Sequence, residues 1–272
     1  MEIGLPSLTE QRRIASILSA YDDLIENNTR RIAILEEMGR RIYEEWFVRF
    51  RFPGHKGVRM VESELGLVPE GWQCGAFTDL ADVLSGGTPK KAEPEFWGGT
   101  IPFFTPTDAP KRAYVLDTEA HITDAGLVRC ASQLYPKDTV FITARGTVGK
   151  LALAASGMAM NQSCYALKSR SGYGQVFLYL ATQGVVGELK AKSHGAVFDT
   201  IIMDTFRLMR IVKPPVELAT RLESLVRPLF ALSLTLSCKN ANLTVTRDLL
   251  LPKLISGELD VSAMPEPEAL AA

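Results

Sequence analysis

The chain has no CxxC pair, no cluster of histidines and no unbroken apolar run of membrane-spanning length. Its four cysteines (Cys74, Cys130, Cys164, Cys238) stand far apart. That spacing argues against a zinc site and a disulfide framework, and leaves the cysteines as small apolar residues expected to be buried. His55, His121 and His194 do not group, so no metal and no cofactor is expected. Without a membrane-length run, and with an N-terminus that reads as a capped helix rather than a signal peptide, the expected location is cytoplasmic. Net charge is only -1 over 272 residues, so the whole molecule is not a polycation; 46% hydrophobic residues are ample for one or two compact units.

Catalytic signatures are missing too. No GxGxxG follows a strand pattern, and no Ser/His/Asp spacing stands out. The run from Gly146 to Leu151, GTVGKL, resembles a phosphate loop. Such a loop needs four residues between its glycines and a hydroxyl after the lysine to reach magnesium. Here two residues intervene and Leu151 follows Lys150. The Asn/Asp-Pro-Pro-aromatic tetrapeptide of amino-methylating enzymes is absent; the only double proline is Pro214-Pro215, followed by Val216. The expectation is a non-catalytic protein.

Proline and glycine are scarce where the chain begins. Between Pro6 and Pro53 there is no proline and one glycine, Gly39. Apolar residues there recur at helical spacing, so residues 7–50 read as one long helix. Ser7 with Glu10 forms a capping box, and Phe52-Pro53-Gly54 is a stop signal. Ile14, Tyr21, Asn28, Leu35 and Ile42 make one heptad line, flanked by Leu24 and Met38. A rod of roughly 60 Å cannot bury such a stripe against itself and needs a partner helix.

The partner lies in the same chain. Residues 216–256 carry Leu222, Leu229, Leu236, Leu243 and Leu250 every seventh residue. An offset of 208 residues, the distance from Ile14 to Leu222, superposes the two lines without a gap and also places Pro6 on Pro214 and Leu24 on Leu232. This is a diverged repeat of one long helix. The ten heptad residues are the expected pairing seam of an antiparallel coiled coil. Pro228 is expected to kink the second helix or start it afresh. Asn28 is a buried amide that can fix register.

Between the copies, heptads vanish and Gly, Pro, Thr and aromatics become frequent. Residues 56–213 read as a mixed α/β (α+β) domain. Strands are expected at 139–143, 151–155, 163–167 and 206–212, a helix at 174–192, and loops at 84–89 and 98–102. The resulting organisation is a helix in 1–55, a domain in 56–213, a second helix in 214–260 and a disordered tail from 261 to 272.

Charge is nearly balanced across the domain, but Arg145, Lys150, Lys168, Arg170, Lys190 and Lys192 face only Glu188 between residues 145 and 192. Such a run is either an ordinary solvated face or a phosphate-tracking patch. Glycine-rich loops let backbone approach phosphates, and neighbouring hydroxyls and amides donate to phosphate or base edges. The candidate DNA-binding residues are Ser85, Gly86, Gly87, Thr88, Lys90, Lys91, Thr105, Thr107, Arg145, Gly146, Lys150, Gln162, Lys190, Lys192 and His194. Bases are expected to be read by Arg145, Gln162, Lys90, Lys91 or His194, while Trp97 is expected to pack its loop.

Several stretches resemble a known family. SGGTPKKAEPEFWGGTIPFFTPTD (85–108), ITDAGL (122–127), FITARGTVGKLALA (141–154), MNQSCYAL (160–167) and LKAKSHGAVFDTI (189–201) resemble a target recognition domain of the DNA specificity (S) subunit of Type I restriction-modification systems. LPSLTEQRRIASILSAYDDLIENNTRRIAILEE and RDLLLPKLISGEL resemble that subunit's two conserved spacer helices. The resemblance implies a non-catalytic subunit that binds double-stranded DNA and docks the methyltransferase (modification) and restriction subunits. Their complex would be a site-specific deoxyribonuclease and adenine-N6 methyltransferase. Family members carry two recognition domains; this chain has one, so it corresponds to a half subunit, natural or part of a longer chain. Two copies could form a homodimer reading a symmetric split target. Two other readings stay open: a coiled-coil protein occupying the modification subunit without reading DNA, and a recognition fragment of a single-chain restriction-methylation enzyme.

Overall fold

A computed structural model describes residues 6–192 and 200–263, with the backbone alone for 188–192. In order, the elements are α1 (Leu8–Tyr43), β1 (Met60–Ser63), β2 (Gly66–Pro69), β3 (Gln73–Ala76), β4 (Ala81–Ser85), β5 (Trp97–Phe104), β6 (Tyr114–Val115), β7 (His121–Ile122), α2 (Asp124–Val128), β8 (Val140–Thr143), β9 (Leu151–Ala154), β10 (Ala159–Met160), β11 (Cys164–Ser169), α3 (Gln175–Lys192), α4 (Met203–Leu208), β12 (Arg210–Lys213) and α5 (Val216–Ile255). The chain forms two compact units. One holds the described residues up to Ile34 and from Leu232 onward; the other holds 35–231.

The first unit is an antiparallel helix pair. The Ser7 amide donates to Glu10 Oε2 and the Glu10 amide to Ser7 Oγ, closing the capping box; hydrogen bonding from the Ser7 hydroxyl and amide to the Glu10 carboxylate holds it below its usual range. Ascending positions in α1 meet descending ones in α5. Ile14 packs with Leu254, Asp22 pairs with Arg247, and Asn28 Nδ2 donates to Asn240 Oδ1 at 2.9 Å. Asn240 Nδ2 donates in turn to Ile25 O and Thr29 Oγ1. The buried amide is thereby satisfied, as a polar group in a helix seam must be. One turn along, Ile32 and Leu236 are both buried. Tyr21, Leu243 and Leu250 are half-buried, whereas the flanking Leu24 and Leu232 are exposed. The stripe is thus narrower than its sequence. Val261, expected to begin a disordered tail, packs against Ile14, and Ser262 O accepts from Arg13. An apolar side chain at 261 has a partner to bury against, and the tail expectation beyond Ala263 lies outside the described residues.

The second unit begins with the last turns of α1. Gly39 sits where an added Cβ would be 2.8 Å from the Phe230 ring, so the lone glycine permits close helix approach. Leu35, Ile42 and Leu229 are half-buried here and Leu222 is fully buried. The helix then widens into a π turn, Glu44–Val48, which drives Phe47 among Tyr43, Trp72 and Phe177. α5 runs unbroken through Pro228. Pro228 lies on an exposed face beside Ser224 and Arg227, where water can satisfy the freed carbonyl, while Val226 and Phe230 remain buried.

Its main sheet has the order β4-β11-β8-β9-β6, antiparallel except for the parallel β9–β6 pair. A second sheet, β10-β5-β7, packs Phe104 of β5 into the same core as Phe141, Met158, Met160 and Cys164. Residues 98–102, expected to be a loop, belong to β5. Gly98, at φ +73°, and the register shift between Trp97 and Ile101 accommodate a bulge in a strand that pairs with β7. The expected strand 206–212 divides into helix α4, which buries Phe206, and β12, which pairs with β3. Cys238 is exposed and Cys74 and Cys130 half-buried, leaving Cys164 as the one buried cysteine among the described residues. No described helix is long and apolar enough to cross a membrane.

Candidate nucleic-acid interface

Four turns meet at one edge of this core: 85–89 after β4, 105–108 after β5, 144–150 between β8 and β9, and 161–163 between β10 and β11. Backbone bonds clamp them. Asn161 N donates to Phe104 O at 3.0 Å, Ala144 N to Ser163 O at 2.8 Å, and Gly87 N to Met160 O at 3.1 Å. An added Cβ on Gly86 would stand 2.2 Å from Asn161 O, so only glycine lets these two turns touch. The Tyr135 hydroxyl, its pKa raised by burial, donates to Ser85 O at 3.0 Å and anchors the first turn from below.

Side chains tie the turns sideways. The Thr88 hydroxyl bonds to Gln162 Oε1. Thr147 Oγ1 donates to Pro106 O at 3.4 Å, linking the second turn to the third. Buried Thr143 accepts from Lys150 N at 3.0 Å and donates to Thr147 O, closing the third turn around Gly146 at φ +76° and Gly149 at φ +74°. Beneath lies Cys164, whose thiol is pushed up to about 12 by burial and, secondarily, by the charge of Asp108. It is a packing residue, not a nucleophile.

The structure therefore brings together Ser85, Gly86, Gly87, Thr88, Thr105, Thr107, Arg145, Gly146, Lys150 and Gln162. Arg145 and Lys150 are exposed and, among the described residues, form no ion pair. Lys90 and Lys91 continue from the first turn, also exposed; Lys90 O accepts from the Trp97 indole at 3.2 Å. Trp97 lies edge-on to Phe103, 5.5 Å between centroids, and packs its own strand. The run from 145 to 192 is not one patch. Lys168 and Arg170 stand at the far end of β11 from Asn161, and Arg170 pairs with Asp82. A strand carries its two ends apart however close they are in sequence. Lys190 and Lys192 belong to the last turn of α3, their side chains outside the described residues, as is His194 entirely.

Sequence reading missed Asp108. Its carboxylate accepts from the Thr105 amide at 2.8 Å, the Thr105 hydroxyl at 2.6 Å and the Glu119 amide at 2.9 Å. The signal was present: Thr105-Pro106-Thr107-Asp108 is a capping-box spacing with proline at its first position. Among the described residues, no group of His, Cys, Asp and Glu could hold a metal ion.

Residues 69–232 match the family model described as Type I restriction modification DNA specificity domain. The chain is 23% identical over 317 aligned residues to the Type I restriction enzyme HindI specificity subunit of Haemophilus influenzae, covering 95% of this chain and 69% of that one. It is 27% identical over 269 residues to the MjaIX specificity subunit of Methanocaldococcus jannaschii, covering 97% and 62%. In fold it resembles the crystal structure of a Type I restriction-modification system S subunit from M. genitalium, with TM-score 0.63 at 16% identity, over 94% of this chain and 62% of that one. The chain thus spans about two thirds of the length of these relatives. A match over more than half of its residues, carried on this helix-flanked mixed α/β fold, places the chain in the family of Type I restriction-modification DNA specificity subunits.

Proposed function

We propose that this chain is a sequence-recognition subunit of a Type I restriction-modification complex. Residues 56–213 read a half-site on double-stranded DNA. The helices in 1–55 and 214–260 act as spacers and dock the methyltransferase and restriction subunits, which carry the catalysis, in the cytoplasm. A second copy supplies the other half-site in a homodimer. The observation that supports DNA reading best is the convergence of four clamped turns carrying exposed Arg145 and Lys150. Cations in such a setting displace counterions from phosphates, and the fixed turns hold amides and hydroxyls toward base edges. Lys90, Lys91, Lys190, Lys192 and His194 complete the proposed contact set.

Co-expression with its modification partner should direct N6-adenine methylation to one defined sequence. Mapping methylated adenines with and without the chain tests this, and an unchanged map would refute it. Arg145→Ala separates the two kinds of contact. If Arg145 reads a base, the variant weakens binding by about 1–3 kcal/mol and relaxes preference at one position. If it holds phosphate, all sequences weaken alike and the salt slope falls by about one.

A further inference from the structure

Proton bookkeeping at the second turn fixes the character of a hydroxyl that faces outward. Asp108, as a carboxylate, can only accept. The Thr105 hydroxyl lies 2.6 Å from Asp108 Oδ2, so its single proton is committed there. The same oxygen caps the short turn by accepting from the Asp108 amide. Thr107 Oγ1 lies 2.7 Å from Thr105 Oγ1. Thr105 has no second proton to give, so Thr107 must be the donor in that contact. Its proton is thereby used, and what exposed Thr107 presents outward is lone pairs alone. Asp108 is itself fixed as an acceptor by the Glu119 amide at 2.9 Å and the Thr105 amide at 2.8 Å, and reversing the chain of hydroxyls would forfeit the 2.6 Å bond from Thr105 to its carboxylate.

We infer that Thr107 is a specificity-determining acceptor for an exocyclic amino group on a base, with Asp108 and Thr105 as the positioning residues that set its polarity. This rests on the reading of the chain as a DNA recognition subunit. In the major groove, adenine N6 and cytosine N4 offer donors, while guanine and thymine offer O6, N7 and O4 as acceptors. A hydroxyl free to rotate tolerates either. A hydroxyl whose proton is held by Thr105 accepts from adenine or cytosine and meets guanine or thymine lone pair to lone pair. Turning the proton outward would cost the bond to Thr105. Beside it, Thr147 Oγ1 on Pro106 O keeps the turn against the loop that carries Arg145. Arg145, on that neighbouring loop, supplies a donor, so adjacent turns offer groups of opposite kind to one duplex.

The test uses the full chain, in complex with its modification subunit, to select duplexes from a randomised pool. Wild type should prefer adenine or cytosine over guanine or thymine at one position on one strand. Thr107→Val should level that preference by about three- to tenfold, the worth of one hydrogen bond, and leave other positions alone. Thr107→Ser keeps the oxygen and proton and should keep the preference. A duplex whose base at that position lacks the amino group should lose the same factor with wild type and nothing with Thr107→Val. An unchanged unfolding midpoint for Thr107→Val excludes a collapsed turn. A preserved preference in Thr107→Val, or a lost one that favoured guanine or thymine, overturns the inference while leaving the recognition role standing. No preference in wild type overturns both.

Discussion

Along the helix pair, apolar side chains are buried one layer at a time: Ile14 with Leu254 and Val261, then Ile32 and Leu236 beyond the Asn28–Asn240 layer. Leu24, Ile34, Val245 and Leu249 stay on its surface. In the α/β unit, Phe104, Phe141, Met158, Met160 and Cys164 are all fully buried in one cluster, contributed by strands from across the chain. A layered seam has few contacts per layer and nothing behind it, so one wrong side chain disables it. A shared core spreads damage over many neighbours but transmits it to whatever the core supports.

The largest predicted effect tests the seam. Leu236→Asp places a charge in a buried layer with no partner, at a cost of about 4 kcal/mol or more. Helix stability in proteins comes mainly from packing an amphipathic face, so far-UV circular dichroism should show substantial loss of helix once the seam fails. Burial raises the folded pKa of the new carboxyl above its unfolded value. The folded state then binds the extra proton more readily, and stability should recover as pH falls. Helix content unchanged at neutral pH would mean the seam does not hold this unit.

The core responds differently. Phe141→Ala removes a ring stacked on Phe104 at 4.9 Å and edge-on to Tyr135 at 5.8 Å, and should cost about 3–5 kcal/mol in thermal or denaturant unfolding. Because Tyr135 holds Ser85, the variant should also weaken DNA binding under conditions where it remains folded. Binding at wild-type strength would show that the first turn stands without its support.

The same contrast governs what could be read from sequence. The helices were legible because a seam is periodic: heptads and the capping box are local patterns, and the 208-residue repeat copies the same period. Its width was not, since exposure of Leu24 and Leu232 depends on what lies opposite. In the α/β unit the glycine turns were legible, and so were β8, β9 and β11, whereas β12 was read only in part and β1 to β7 and β10 were not read as strands. Residues 98–102 were misread because glycines and a proline mark loops in sequence, whereas pairing with β7 makes them a bulged strand. The grouping of the candidate residues was half legible. Loop composition singled out Thr88, Arg145 and Gln162 as candidates, and contacts far apart in sequence gathered their turns, such as Thr88 on Gln162 and Asn161 on Phe104. Charge counting failed for Lys168 and Arg170 because a linear count ignores which end of β11 each occupies.

The smallest effect concerns the Asn28–Asn240 layer of the seam. Superposed by the repeat, Asn28 falls on Leu236 and Asn240 on Ile32. The antiparallel arrangement puts the two amides together and leaves Ile32 and Leu236, both buried, in the next layer. Divergence of the repeat thus sorts one polar and one apolar layer. Sliding the helices by a turn would set an amide against a leucine or isoleucine, so the pair resists slippage. Asn28→Leu should cost about 1 kcal/mol, because Asn240 Oδ1 loses its donor while half-buried. Adding Asn240→Leu should restore stability to wild type or above, since an apolar pair leaves nothing unsatisfied. Register should then loosen. Disulfide trapping between Ile14→Cys and Leu254→Cys would fall in the double variant even as its unfolding midpoint rises. If trapping and midpoint instead rise together, the amides contribute nothing to register, and the heptad leucines alone align the helices.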